Sequence, residues 1–295
     1  MRKIGRRVAR KAGIIGYPLA HSLSPVFQQA AFDYYGLNVT YEKWEVTLDR
    51  LEEAVARLRS QEHLGSNVTI PYKEAAVPLL DEIAEMAASI GAVNTIVNKN
   101  GKLIGYNTDA IGFLRALDED ASYDPDGKRV VLIGAGGAAR AVAVALLTSG
   151  AASLTIVNRD DERARSLAAA LARAGFEDRV LIAPLERGSL SRALDGVGLV
   201  VNTTPVGMRH GPCPDASPLP DDLVPGDALI FDLVYNPPAT RLLAVAGDKG
   251  SQTLNGLPML VYQGAASFEL WTGEKAPLGL MFDRVRLALY GRLDV

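Results

Sequence analysis

The chain has 295 residues, enough for about two domains at roughly 150 residues each. Apolar residues make up 48% and charged residues 22%. A globular chain of this length buries about three quarters of its unfolded surface and needs no disulfide or metal staples. The net charge of −3 leaves no general basic field for nucleic acid or an anionic membrane. The single cysteine, Cys213, excludes an internal disulfide and every multi-cysteine metal site, and it fits a reducing, cytoplasmic location.

His21, His63 and His210 lie far apart, without ligand spacing. No uninterrupted apolar run reaches the length of about 18 residues that a membrane helix needs. The nearest, Ala141 to Val157, is broken by Thr148, Ser149, Gly150 and Ser153.

The basic stretch MRKIGRRVARK at residues 1–11 has no apolar segment behind it and reads as a solvated tail, with a short transit peptide as the alternative. From there strand-like and helix-like segments alternate, the pattern of an α/β fold with mainly parallel sheets. AGIIGYP (12–18) is a strand. SPVFQQAAFDYYGL (24–37) is a helix opened and capped by Ser24, with Pro25 at its first position. VTYEKWEV (39–46) is a strand, LDRLEEAVARLRSQ (48–61) a helix and SNVTI (66–70) a strand. PYKEAAVPLLDEIAEMAASIG (71–91) reads as one helix that opens on a proline. VNTIVNKNGKLIGYNTD (93–109) is a hairpin around Asn100-Gly101, and AIGFLRALDED (110–120) a helix.

ASYDPDGK (121–128) is the strongest break in the chain. After it RVVLIGAGGAARAVAVALLTSG (129–150) begins a second strand–helix series, with further strands at SLTIVN (153–158), RVLIAP (179–184), LVVNTTP (199–205) and ALIFDLVY (228–235). The segment 209–227 carries five prolines and must be a loop. Two helical segments close the chain, at 256–273 and 277–293, and they leave the alternation. They are expected to fold back on the first domain. Two α/β domains result, residues 1–112 with 258–295 and residues 113–257.

The pattern Gly134-x-Gly136-x-x-Ala139 stands between an apolar strand and a helix. Glycines there permit a tight turn and let a pyrophosphate approach backbone N–H groups at the helix start. A glycine-rich turn without a ligand is the alternative. At the end of the next strand Asn158 replaces the acid that NAD-binding folds use for the ribose 2′-hydroxyl. Arg159 and Arg163 follow, and two guanidiniums suit a 2′-phosphate and hence NADP, although Arg163 also reads as a plain exposed residue. Asp160 reads as the N-cap of DERARSLAAALARAG (161–175). Turned the other way it would repel a phosphate.

In the first domain polar residues gather at strand ends and helix starts. They are Ser22 and Ser24 in HSLSP, Asn67 and Thr69 in NVTIPYK, Asn94 in GAVNT, and Asn107 to Asp109 in YNTD. Amides and hydroxyls suit a small polyhydroxylated ligand, though each residue alone has a turn or cap to make. Lys73 falls in the first turn of the helix expected from Pro71. The helix dipole and partial burial there lower an amine's pKa, which suits a group that exchanges a proton with a substrate oxygen. Asp109 is a partner that could orient it. An ordinary surface lysine is the alternative.

HSLSP, NVTIPYK, GAVNT, GYNTD, GAGGAAR, NRD, DLVYNP and GLPMLVYQGAASFELW occur in this order, from about Ala12 to Leu289. Together they resemble the shikimate dehydrogenase family, which implies that 1–112 and 258–295 form a substrate domain and 113–257 a doubly wound NADP domain of Rossmann type. The resemblance implies NADPH-dependent reduction of 3-dehydroshikimate to shikimate, on the route to chorismate and the aromatic amino acids. It places substrate contacts on Ser22, Ser24, Asn67, Thr69, Asn94 and Gln263, with Tyr235 near substrate and nicotinamide. It makes Lys73 and Asp109 a catalytic pair that also touches substrate. It assigns Gly134, Gly136, Gly137 and Ala138 to the pyrophosphate, and Asn158, Arg159 and Arg163 to the adenosine phosphate. No metal, nucleic acid or membrane is implied, and the enzyme is expected as a monomer or homodimer. Asp160 stands where many NADP-using members carry Thr or Ser. That departure keeps an NAD-dependent quinate/shikimate dehydrogenase as one alternative. A non-catalytic ligand sensor is the other.

Overall fold

The structure, a computed structural model, describes residues 9–291, so the basic tail falls outside the described residues up to residue 8. The chain divides into two compact units. One contains the chain up to Thr108 and again from Gln263, and the other is Asp109–Tyr262.

The first unit is built on a six-stranded mixed sheet. In chain order its elements are β1 (Arg10–Gly16), α1 (Ser24–Tyr34), β2 (Val39–Glu45), α2 (Leu51–Arg57), β3 (His63–Val68), β4 (Glu82–Ile83), α3 (Glu85–Ile90), β5 (Thr95–Lys99) and β6 (Lys102–Tyr106). The strand order is β2-β1-β3-β5-β6-β4. β1 lies between parallel β2 and β3, and β5 runs antiparallel to both β3 and β6. The β5–β6 hairpin turns at Asn100 (φ 55°) and Gly101 (φ 91°), two left-handed residues whose twist matches that of the flanking strands. Its register sets Thr95 opposite Tyr106, so the segments carrying Asn94 and Thr108 meet at one end of the sheet. Ile15, Val55, Leu58, Val68, Ile96 and Leu103 fill the core beneath.

The C-terminal helices α9 (Leu257–Thr272) and α10 (Leu278–Tyr290) do return, with α10 packed on α1. From Gln263 on, α9 belongs to the first unit. It approaches α1 so closely that a Cβ at Gly264 would lie 2.3 Å from the Phe27 ring. The bare backbone there accepts a hydrogen bond from Gln28 Nε2 at 2.8 Å.

Two local expectations fail. Residues 71–91 are not one helix. Residues 71–76 form turns, Val77–Leu79 is a short 3-10 helix, and the chain then runs through β4 into the six-residue α3. Pro78 is the physical reason, since in a helix interior it lacks the N–H for the bond to residue 74 and clashes with that carbonyl. The backbone turns to β6 instead, with Asp81 N–H donating to Leu103 O and Ala84 N–H to Gly105 O. Lys73 therefore has no helix dipole beneath it. The second failure is at Ser24, which is the first helical residue behind Leu23 and makes no side-chain cap. Its hydroxyl is left for another task, and Ser24→Ala has no helix cap to remove.

The second unit carries α4 (Asp109–Ala121), β7 (Arg129–Ile133), α5 (Gly137–Thr148), β8 (Ser153–Val157), α6 (Asp161–Arg173), β9 (Val180–Ala183), α7 (Arg187–Leu194), β10 (Leu199–Asn202), β11 (Leu229–Asp232), α8 (Arg241–Asp248) and β12 (Gln252–Asn255). Its six strands are all parallel, in the order β12-β11-β10-β7-β8-β9. β10 and β11 are buried at every position, as continuous apolar runs in a sheet covered on both faces should be. The order reverses between β7 and β10, the switch point where such sheets bind nucleotides at the carboxyl ends of their strands. The proline-rich segment 209–227 is loop, apart from a single 3-10 turn at Asp221–Leu223. Among the described residues no helix is long and apolar enough to cross a membrane.

Candidate active site

At one end of the first unit's sheet a set of buried amides and hydroxyls forms one hydrogen-bonded cluster. Asn67, on β3 and 6% exposed, donates from Nδ2 to Asn94 O at 3.2 Å, Thr95 Oγ1 at 3.1 Å and Ser267 Oγ at 3.0 Å. Asn94, in the turn before β5, accepts at Oδ1 from the Thr108 backbone N–H at 2.7 Å and donates from Nδ2 to Thr108 Oγ1 at 2.9 Å. Its Nδ2 also reaches Gln263 Oε1, on α9, at 3.4 Å. Asn107 donates to Ala92 O at 3.0 Å and so holds a turn. Ser267 lies one helical turn beyond Gln263 and donates back to Gln263 O at 3.0 Å. Burying polar groups costs free energy unless each finds a partner, and here they satisfy one another.

Ser22 sits half-buried in the loop before α1, and Ser24 is buried at the helix start. Thr69 follows β3, half-buried. Lys73 is half-buried in the turns, with its carbonyl accepting from Val93 N–H at 2.8 Å. The first unit thus brings Asn67, Asn94 and Gln263 into one network. Asp109 opens α4 at the start of the second unit, and Tyr235 follows β11 there. Burial pushes the Tyr235 phenol up, so it stays protonated at neutral pH. Tyr41, Thr95 and Ser267 escape a reading of the sequence, because a hydroxyl inside an apolar strand or helix has no local signature.

In the second unit β7 leads through Gly134 into α5. Gly134 has φ 116°, and a Cβ there would lie 2.2 Å from Thr203 Oγ1. Gly136 caps α5 with extended backbone, and a Cβ on it would meet nothing within 4 Å. Gly137 and Ala138 begin the helix. A bare backbone with open space at the start of a twelve-residue helix suits a pyrophosphate.

Beyond β8, Asn158 donates to Asp160 O at 2.8 Å. The Asp160 carboxylate caps α6, accepting from the N–H groups of Glu162 at 3.0 Å and Arg163 at 3.1 Å. Arg163 Nε stands 3.5 Å from the other Asp160 oxygen, an exposed pair of little energetic consequence. Arg159 is exposed beside them. The cap reading of Asp160 holds, and the residues present fit a 2′-phosphorylated dinucleotide.

Asn202 and Asp232, at the carboxyl ends of β10 and β11, tie the neighbouring loops together. Asp232 is fully buried. It accepts from Thr240 Oγ1 at 2.6 Å, Asn202 Nδ2 at 2.9 Å and Val234 N–H at 3.0 Å. Asn202 Oδ1 accepts from the Thr204 N–H at 3.0 Å and its hydroxyl at 2.7 Å. Burial nevertheless pushes the Asp232 carboxyl from 3.8 up to about 6. Between those values the folded protein keeps a proton that the unfolded chain has released. Stability from this group therefore falls as pH rises from about 4 to about 6. The cost is complete above that, about 3 kcal/mol for a shift of two units. Asp232→Asn cannot ionise. Urea midpoints measured across this range should show wild type losing stability relative to the variant as pH rises. Parallel curves would show that Asp232 ionises normally.

A parallel doubly wound sheet with a glycine-rich turn at a helix start, joined to a unit bearing a polar amide–hydroxyl cluster, defines a dinucleotide-dependent oxidoreductase of small polar substrates. Three family models match the chain. They are the shikimate dehydrogenase substrate binding domain at residues 14–96, shikimate/quinate 5-dehydrogenase at 117–185, and the shikimate 5′-dehydrogenase C-terminal domain at 256–286. The shikimate dehydrogenase (NADP(+)) of Moorella thermoacetica is 49% identical over 92% of this chain and 90% of its own. That of Symbiobacterium thermophilum is 46% identical over 99% and 98%. The crystal structure of shikimate 5-dehydrogenase from Thermus thermophilus, in complex with NADP(H) and shikimate, superposes with a TM-score of 0.83 at 39% identity. It covers 95% of this chain and 100% of its own. The chain belongs to the shikimate dehydrogenase family.

Proposed function

We propose that the protein catalyses the NADPH-dependent, reversible reduction of 3-dehydroshikimate to shikimate, in the route to chorismate and the aromatic amino acids. The observation that carries the reading is the buried cluster linking Asn67, Asn94 and Gln263, whose amides suit the ring hydroxyls of such an acid. Ser22 and Ser24 bind the substrate carboxylate as neutral donors, and Thr69 and Tyr235 complete the contacts. Bound NADPH supplies the hydride that reduces the C3 carbonyl. Gly134, Gly136, Gly137 and Ala138 hold its pyrophosphate, and Asn158, Arg159 and Arg163 its adenosine phosphate. The carbonyl oxygen becomes negative as it is reduced, and Lys73, as ammonium, gives its proton to that oxygen or stabilises the charge. Asp109 orients the lysine and binds a neighbouring substrate hydroxyl.

We assign residues 1–112 and 258–295 to substrate binding and 113–257 to the cofactor. We propose a cytoplasmic enzyme, which suits the free, exposed Cys213, acting as a monomer or homodimer that light scattering distinguishes. Mixing the protein with NADP and shikimate should raise the near-ultraviolet absorbance of NADPH. Shikimate binding without any absorbance change would replace the enzyme with a sensor. Faster turnover with NAD and quinate would move it to the quinate branch.

A further inference from the structure

Ser24 and Asn67 come from distant parts of the chain, one opening α1 and the other on β3. A rigid ligand that bonds both needs their polar atoms at a fixed separation. Tyr41, on β2, stands between them. Its ring is 5% exposed and packs near Trp271, with centroids 6.1 Å apart. Its hydroxyl donates to Asn67 Oδ1 at 2.7 Å, and the Ser24 hydroxyl neighbours the same phenol.

The proton count orders this chain. A phenol has one proton to give, and Tyr41 gives it to Asn67. Burial pushes the phenol well above its ordinary range, so that proton is not lost at working pH. Asn67 must therefore present its carbonyl oxygen to Tyr41 and its NH₂ to Asn94 O, Thr95 and Ser267, so the amide cannot flip. With its own proton committed, the Tyr41 oxygen can only accept from the neighbouring Ser24 hydroxyl. An arriving carboxylate accepts the serine's hydrogen bond after rotation about one bond, with no heavy atom moving.

We infer that Tyr41 is a positioning residue for substrate recognition, its hydroxyl locking Ser24 and the Asn67 amide into one preset arrangement. This rests on the reading of Ser24 and Asn67 as substrate contacts. Tyr41→Phe keeps the ring and removes the oxygen. It should raise the shikimate KM about tenfold, the size expected from one lost hydrogen bond. The NADP KM should stay within about twofold and kcat should fall less than the shikimate KM rises. In a cycle with Ser24→Ala the two effects should be markedly less than additive, because the tyrosine acts partly through the serine.

An unchanged shikimate KM in Tyr41→Phe, with Ser24→Ala raising it, overturns the positioning role and leaves the substrate site intact. An unchanged KM in Ser24→Ala overturns the substrate site and the inference with it. If Tyr41→Phe instead lowers Tm sharply and raises both KM values alike, the hydroxyl serves the fold alone, and the inference fails.

Discussion

Lys73→Ala is expected to lower kcat for 3-dehydroshikimate reduction by about 10²- to 10⁴-fold, the usual loss when a positioned proton-transfer group is removed. The shikimate KM should change only a few-fold. The lysine stands in turns rather than on a helix. Its role rests on the chemistry of the substrate oxygen, which is neutral as a ketone and negative as hydride arrives. A group that meets this oxygen most strongly in the transition state changes kcat rather than binding. The fold should tolerate the change, because the Lys73 carbonyl keeps its bond from Val93 N–H and the side chain is half-exposed. Lys73→Arg separates the two tasks. A guanidinium keeps the charge and does not release its proton in this pH range. A collapse of kcat in both variants assigns proton transfer to Lys73, and recovery in the arginine variant assigns charge stabilisation. Wild-type turnover in Lys73→Ala would remove the residue from the mechanism.

Arg159→Ala should raise the NADP KM about tenfold or more and leave the NAD KM nearly unchanged. A charge-assisted hydrogen bond to a phosphate contributes roughly 1.5–3 kcal/mol, or one to two decades of discrimination. The structure bears on the one objection to NADP. Asp160 next door carries the charge that would repel a 2′-phosphate, yet its carboxylate faces the first turn of α6 and accepts two backbone N–H groups. Asn158, its side chain turned to Asp160 O, presents no carboxylate at the ribose position. Asp160→Ser, which keeps a capping oxygen, should therefore shift the NADP/NAD ratio little. A wild-type kcat/KM higher with NAD than with NADP would overturn the cofactor assignment. An NAD KM that rises in Arg159→Ala as much as the NADP KM would show the guanidinium stacking on adenine instead.

The sequence alone determined what is local and periodic. The alternation of strands and helices, the Asn100-Gly101 hairpin and the α6 cap at Asp160 each depend on residues within a few positions of one another, and all appear as expected. So does the strand–Gly134-x-Gly136–helix turn, where the positive φ of Gly134 and its contact with Thr203 leave little choice but glycine. The resemblance to a family added Tyr235 and Gln263 and gave roles to polar residues that spacing alone could not rank. Pro78 shows how a local signal can be misweighted. The helical periodicity of 71–91 was legible, and so was the proline that breaks it, but only the backbone bonds of Asp81 and Ala84 to β6 decided the outcome. Tertiary structure alone decided where the polar side chains go. Ser24 looked like a helix cap and instead lies beside the Tyr41 phenol. Tyr41 carries no local signal yet bonds Asn67, 26 positions away, while Ser267 reaches the same amide from 200 positions away. A buried hydroxyl or amide must find a partner wherever the fold supplies one. That partner is set by strand order, register and the return of the last helices, none of which is written in the residues beside it.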